Sequence, residues 1–80
     1  MHLLLQIDTP DYTAWKQAFD DDAEDRRLAG LTLLQLWRDA DTSGQAFALL
    51  EVNDRTRAEA WLSRERSFGG QITASFLKTA

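Results

Sequence analysis

From His2 to Ile7 apolar and polar positions alternate, with Leu3, Leu5 and Ile7 in one phase and His2, Leu4 and Gln6 in the other, which is the period of a strand. Beyond Thr9-Pro10-Asp11 the period lengthens. Tyr12, Trp15, Phe19 and Ala23 recur at offsets of three and four and make one stripe of a helix. Thr9 or Asp11 can cap its free N–H groups, Pro10 suits a first turn, and Gly30 ends it, with Arg26 and Arg27 near the negative end of the helix dipole. Leu31 to Val52 then reads as two strands, LTLLQLWRDA and QAFALLEV, joined by the turn Asp41-Thr42-Ser43-Gly44. Thr56 and Glu59 have the spacing of a capping box for a second helix with Ala58, Trp61 and Leu62 inside, and Gly69-Gly70 stops it. Ile72 to Lys78 alternates again as a last strand.

The order is strand, helix, strand, strand, helix, strand, the split βαβ arrangement. The fold class is therefore α+β and ferredoxin-like, βαββαβ, with a four-stranded antiparallel sheet and two helices on one face. Residues 1–80 form one such domain, too short for two cores. The hairpin sets the faces. If Ala40 pairs with Gln45, then Arg38 faces Phe47, Leu36 faces Leu49 and Leu34 faces Glu51, while Leu31, Leu33, Gln35 and Trp37 lie on the other side with Ala46, Ala48, Leu50 and Val52. The helix-covered core expected from the more apolar phases is Leu3, Leu5, Ile7, Leu31, Leu33, Trp37, Ala48, Leu50, Val52, Ile72, Ala74 and Phe76. The second face holds Leu4, Leu34, Leu36, Phe47, Leu49 and Leu77 beside polar residues, and it is too apolar to be a water face. At roughly 1.5–3 kcal/mol for fully burying each large apolar side chain, covering it is worth on the order of 10 kcal/mol before the cost of association. A second copy of the chain is the cover this expectation names.

Composition narrows the function classes. The net charge of −4 disfavours nucleic acid and anionic membranes as partners, since both need clustered Lys and Arg. Without cysteine there is no disulfide, thiolate metal site or Cys nucleophile, and with no long apolar run or signal-peptide pattern a cytoplasmic location is the expectation. The run Asp20-Asp21-Asp22-Ala23-Glu24-Asp25 lacks the alternating ligand loop and glycine turn of a calcium site, so it reads as a solvated helix face with an Asp22 to Arg26 pair, and no metal or other cofactor is expected.

Several stretches carry a resemblance: Asp11-Tyr12 and Trp15 to Phe19, Ala29-Gly30-Leu31, Arg38-Asp39-Ala40-Asp41, and Leu50-Glu51-Val52. The chain resembles, over essentially its whole length, the dimeric α+β barrel superfamily, including small antibiotic-biosynthesis monooxygenase-like proteins. That resemblance implies two ferredoxin-like sheets paired face to face around a cavity. Relatives include cofactor-free quinol monooxygenases, polyketide-modifying cyclases, isomerases, haem enzymes and proteins without known activity, so the fold alone selects no reaction. The monooxygenase relatives usually carry a histidine in or after the second helix, and residues 61–68 contain none. Haem relatives need an axial histidine, and the only histidine here is His2, near the chain start. No catalytic residue carries over.

The expected function is a homodimer that serves as a structural or auxiliary module binding a small apolar or anionic aromatic ligand. The alternative is a cofactor-free monooxygenase or cyclase acting on a quinol or polyketide-like aromatic. In either case His2, Gln6, Arg38 and Glu51 would supply the polar part of the cavity, and Leu34, Leu36, Phe47 and Leu49 its walls. Arg38 would grip an anion with Glu51 holding it in place, unless the two form only an interface ion pair.

Overall fold

The computed structural model describes residues 1–65 and 71–80. The expected Gly69-Gly70 stop lies outside the described residues. In chain order the elements are β1 (His2–Asp8), α1 (Tyr12–Asp21), α2 (Ala23–Leu28), β2 (Leu31–Arg38), β3 (Gln45–Val52), α3 (Arg55–Glu65) and β4 (Gln71–Leu77). The sheet runs β2-β3-β1-β4 with every neighbouring pair antiparallel. This is the ferredoxin-like α+β fold.

Leu3, Leu5 and Ile7 of the central strand are at most 1 % exposed and pair with Leu50, Ala48 and Ala46, which are fully buried on the same side. Trp15 and Phe19 of α1 and Ala58, Trp61 and Leu62 of α3 close over them in one cluster. The alanines at 46 and 48 leave room for helix backbone against the sheet. Principal extents of 31 × 28 × 17 Å give depth for one sheet and one helix layer, so the other sheet face has no cover among the described residues.

The first helix departs from the expected single rod. Asp11 is its cap, accepting from the Ala14 N–H at 3.0 Å, and hydrogen bonding runs on until Asp22, whose N–H reaches the Ala18 and Phe19 carbonyls at 3.2 and 3.3 Å. There the helix breaks and restarts as α2. Ala23, expected on the inner stripe, is exposed, and the inner position of the next turn is filled by Arg26, which is 7 % exposed. Its guanidinium donates to the Phe19 carbonyl and lies 3.8 Å from the centre of the Phe19 ring. The Phe19 carbonyl stays satisfied across the break. Gly30 ends α2 at φ +75°.

Two smaller expectations also change. Helix α3 starts one residue before Thr56, with Asp54 accepting the Arg57 N–H at 3.2 Å, and Glu59 pairs with Arg55 at 2.9 Å instead of closing a capping box. Asp39, rather than the tip of the turn, organises the hairpin: its carboxylate accepts the Asp41 and Thr42 N–H groups at 2.9 and 2.8 Å, which hold its pKa below the ordinary value.

The hairpin register corrects the sequence reading. Leu31, Thr32 and Leu33 pair with Val52, Glu51 and Leu50, but a bulge at Leu34 shifts the ladder so that Gln35, Leu36, Trp37 and Arg38 pair with Leu49, Ala48, Phe47 and Ala46. The extra residue exchanges the two faces for the rest of β2. A regular ladder continued from Leu33 would face Gln35 with Ala48 in the core, where an unpaired amide costs about 1–3 kcal/mol. With the bulge, Leu36 takes that place and packs on the core. Trp37 leaves the expected core and is 46 % exposed on the uncovered face. Arg38 joins the helix side, its guanidinium 3.9 Å from the centre of the Tyr12 ring.

Candidate functional site

The uncovered sheet face is ordered in rows by the strand pairing. At one end lie Thr32, Glu51, His2 and Leu77; next come Gln35, Leu49, Leu4 and Ser75; then Trp37, Phe47, Gln6 and Thr73. The apolar residues of the two inner rows are contiguous. Trp37 and Phe47 are direct cross-strand neighbours, Leu49 follows Phe47 on the same side of β3, and Leu4 faces Leu49 across β1. This is a band with an aromatic end, bordered by the uncharged groups of Gln6, Gln35 and Thr73.

Of the expected site residues, His2, Gln6, Phe47, Leu49 and Glu51 share this face. Leu34 sits at the bulge and is 45 % exposed. Arg38 and Leu36 are not brought to it: the bulge turns both to the helix side, where Arg38 stacks on Tyr12 and does not meet Glu51. Glu51 has His2 as its cross-strand neighbour instead. Trp37 is the residue missed from the sequence. The doublet Leu33-Leu34 was its signal, because two successive apolar residues inside an alternating strand mark where the phase can change.

Two depressions lie elsewhere. One of about 430 Å³, at the turn end of the sheet, is lined by Asp8, Thr9, Pro10, Gly44 and Gln71 among others, and the Asp8 carboxylate there accepts from the Gln45 amide at 3.0 Å. The other, about 370 Å³, runs between α2 and α3 over Leu28, Ala29 and Trp61 with Arg57 and Arg64 at its rim. Both basic groups already have acidic neighbours, Asp54 at 3.8 Å and Asp25 at 3.9 Å.

Trp61, which lines the second depression, also belongs to a largely buried polar cluster. Glu65 is 4 % exposed, and the Trp61 indole N–H donates to Asp22 at 2.7 Å. Burial, and then the neighbouring Asp22 carboxylate, push Glu65 up to about 7; burial lowers the Arg26 pKa, with Asp22 and Glu65 acting in the opposite sense. Its sequence signal was a charged residue in phase with each inner stripe: Asp22 and Arg26 with Phe19, Glu65 with Trp61 and Leu62. Among the described residues no group of three or more metal-ligating side chains comes together, and no helix is long and apolar enough to cross a membrane.

The sequence matches no family model and no curated protein.

Proposed function

We propose that the chain acts as a homodimer whose uncovered sheet faces pack together, the arrangement of the dimeric α+β barrel proteins it resembles, and that the space between the sheets binds a small planar apolar ligand. The observation that carries this is the apolar band Trp37, Phe47, Leu49 and Leu4 on a face that no described residue of the chain covers. Four strands about 4.8 Å apart, rising about 3.3 Å per residue over seven residues, give a face of roughly 19 by 23 Å. Two such faces present roughly 900 Å² in projection and more as corrugated accessible surface, which reaches the ~1,000 Å² a specific interface needs.

The ligand class follows from what borders the band. With Arg38 on the other face, the inner rows hold two amides and two hydroxyls but no cation, so a neutral aromatic with hydrogen-bonding edges fits better than an anion. His2 beside Glu51 favours a second reading, a cofactor-free monooxygenase or cyclase in which the imidazole takes a proton from a quinol or related aromatic and the carboxylate stabilises the imidazolium.

Sedimentation velocity tests the assembly. The wild-type chain is expected to run as a dimer at micromolar concentration, and Leu49→Asp as a folded monomer, because it places an unpaired charge at the centre of the band; Ala18→Asp on the exposed side of α1 should leave the dimer intact. A wild-type monomer at that concentration overturns the proposal. For the ligand, Trp37 fluorescence is the probe, since the other tryptophans, Trp15 and Trp61, are buried. Quenching by neutral quinones is expected to survive Arg38→Met and to disappear in Trp37→Phe; quenching abolished by Arg38→Met would return the anion-binding reading.

A further inference from the structure

We propose that Asp22 and Glu65 share a single proton in the closed cluster between the α1–α2 joint and the last turn of α3, and that this proton is a pH-sensitive latch holding those elements together. The geometry leaves few alternatives. Glu65 Oε2 is buried and has no hydrogen-bond partner among the described residues, while the Glu65 carboxyl lies within hydrogen-bonding reach of Asp22. Asp22 Oδ2 is occupied by the Trp61 indole N–H. Two facing carboxylates have no hydrogen to offer each other unless one is protonated, and like charges in a buried site favour that protonation.

The surrounding charges do not remove the need for the proton. Among the described residues Arg26 of α2 is the buried cation in the cluster, but one of its nitrogens is committed to the Phe19 carbonyl and its guanidinium carbon lies 3.8 Å from the centre of the Phe19 ring. Asp20 of α1 adds negative charge near Arg26. On α3, Arg64 lowers the Glu65 pKa, but its side chain is 61 % exposed and lies 3.9 Å from Asp25 of α2. Burial and Asp22 outweigh Arg26 and Arg64, and the folded-state value of about 7 stands above the ordinary 4.5.

The sign of the linkage follows. Below the ordinary value Glu65 is protonated in both folded and unfolded chains, so its contribution is fully present. As pH rises from 4.5 to about 7 the unfolded chain has released this proton while the folded chain still holds it, and stability falls; above about 7 the latch is open and the loss is complete. Carboxylates such as Asp39, whose pKa is lowered, act in the opposite direction at more acidic pH, so the latch is read as a difference between variants.

The test uses ¹³C NMR of the side-chain carboxyls together with thermal melts of the intact chain. The Glu65 carboxyl carbon is expected to titrate well over one unit above the ordinary carboxylate range. Asp22→Asn keeps an acceptor for Trp61 and offers Glu65 an N–H, and it should bring that titration down. Glu65→Gln keeps the shape with a permanent donor and should remove the wild-type excess fall in melting temperature between about pH 5 and about pH 8. A Glu65 carbon that titrates at the ordinary value, or a Glu65→Gln melting profile parallel to wild type, overturns the proposal.

Discussion

Trp61→Ala is expected to lower the unfolding free energy by about 3–5 kcal/mol, the range for removing a buried aromatic from a packed core. A domain of 80 residues has a total stability of only about 4–12 kcal/mol. Trp61 is 1 % exposed and heads the fully buried side chains by volume, so truncation opens a cavity directly against the central strands. It also strips Asp22 of the indole N–H that it accepts at 2.7 Å, leaving its carboxylate beside Glu65 with one donor fewer. Trp61→Phe separates the two losses: it keeps most of the packing and deletes the donor, for about 1–3 kcal/mol. Urea titration followed by far-ultraviolet circular dichroism measures both. A Trp61→Ala midpoint close to wild type would show that α3 is not held to the sheet through this side chain.

Gly44→Ala is expected to be the most damaging small substitution in the loops. Gly44 has φ +85°, and a Cβ there would meet the Thr9 carbonyl oxygen well inside van der Waals contact. The obstacle is backbone, tied back by the 2.8 Å hydrogen bond from the Thr9 N–H to the Gly44 carbonyl, so no side-chain rotation relieves it. Gly30→Ala is the control, since Gly30 has a similar φ of +75° but its nearest neighbour, the Asn53 Cβ, would lie at an ordinary 3.4 Å. The left-handed backbone alone costs about 1–2 kcal/mol at either position. Gly44→Ala should exceed Gly30→Ala by at least another ~1 kcal/mol in urea titrations, the scale of a lost hydrogen bond. Asparagine, which tolerates this backbone, should rescue position 30 and not position 44. Equal effects at both sites would mean that the hairpin turn moves freely away from the β1–α1 junction.

Much of the architecture was legible because period and punctuation agreed. The strand at Leu3, Leu5 and Ile7, the stripe Trp15 and Phe19, and the glycines at 30 and 44 each carry a local requirement that the fold then meets. The candidate site was legible only in β1 and β3, where alternation is unbroken. In β2 the segment Leu33-Leu34-Gln35-Leu36-Trp37 offers large apolar residues in both phases, so counting them does not choose a register. The choice depends on which residue can enter the space above Ala48, a tertiary question. The break at Asp22 was hidden for a related reason: the acidic run reads as solvated helix, while the inward turn of Arg26 depends on Phe19 and α3 being in place.

The bulge at Leu34 also governs how this strand tolerates changes in length. In a regular strand the loss of one residue reverses the facing of everything after it. Here a residue is already surplus to the ladder, so deleting Leu34 would leave Gln35 opposite Leu49 and Trp37 opposite Phe47, with the facing of every remaining residue kept. Deleting Leu36 would instead be absorbed by drawing Gln35 under the helices. Neighbouring single-codon deletions in one strand thus differ in kind: the first removes one exposed leucine without turning any other residue over, and the second puts an amide in the core.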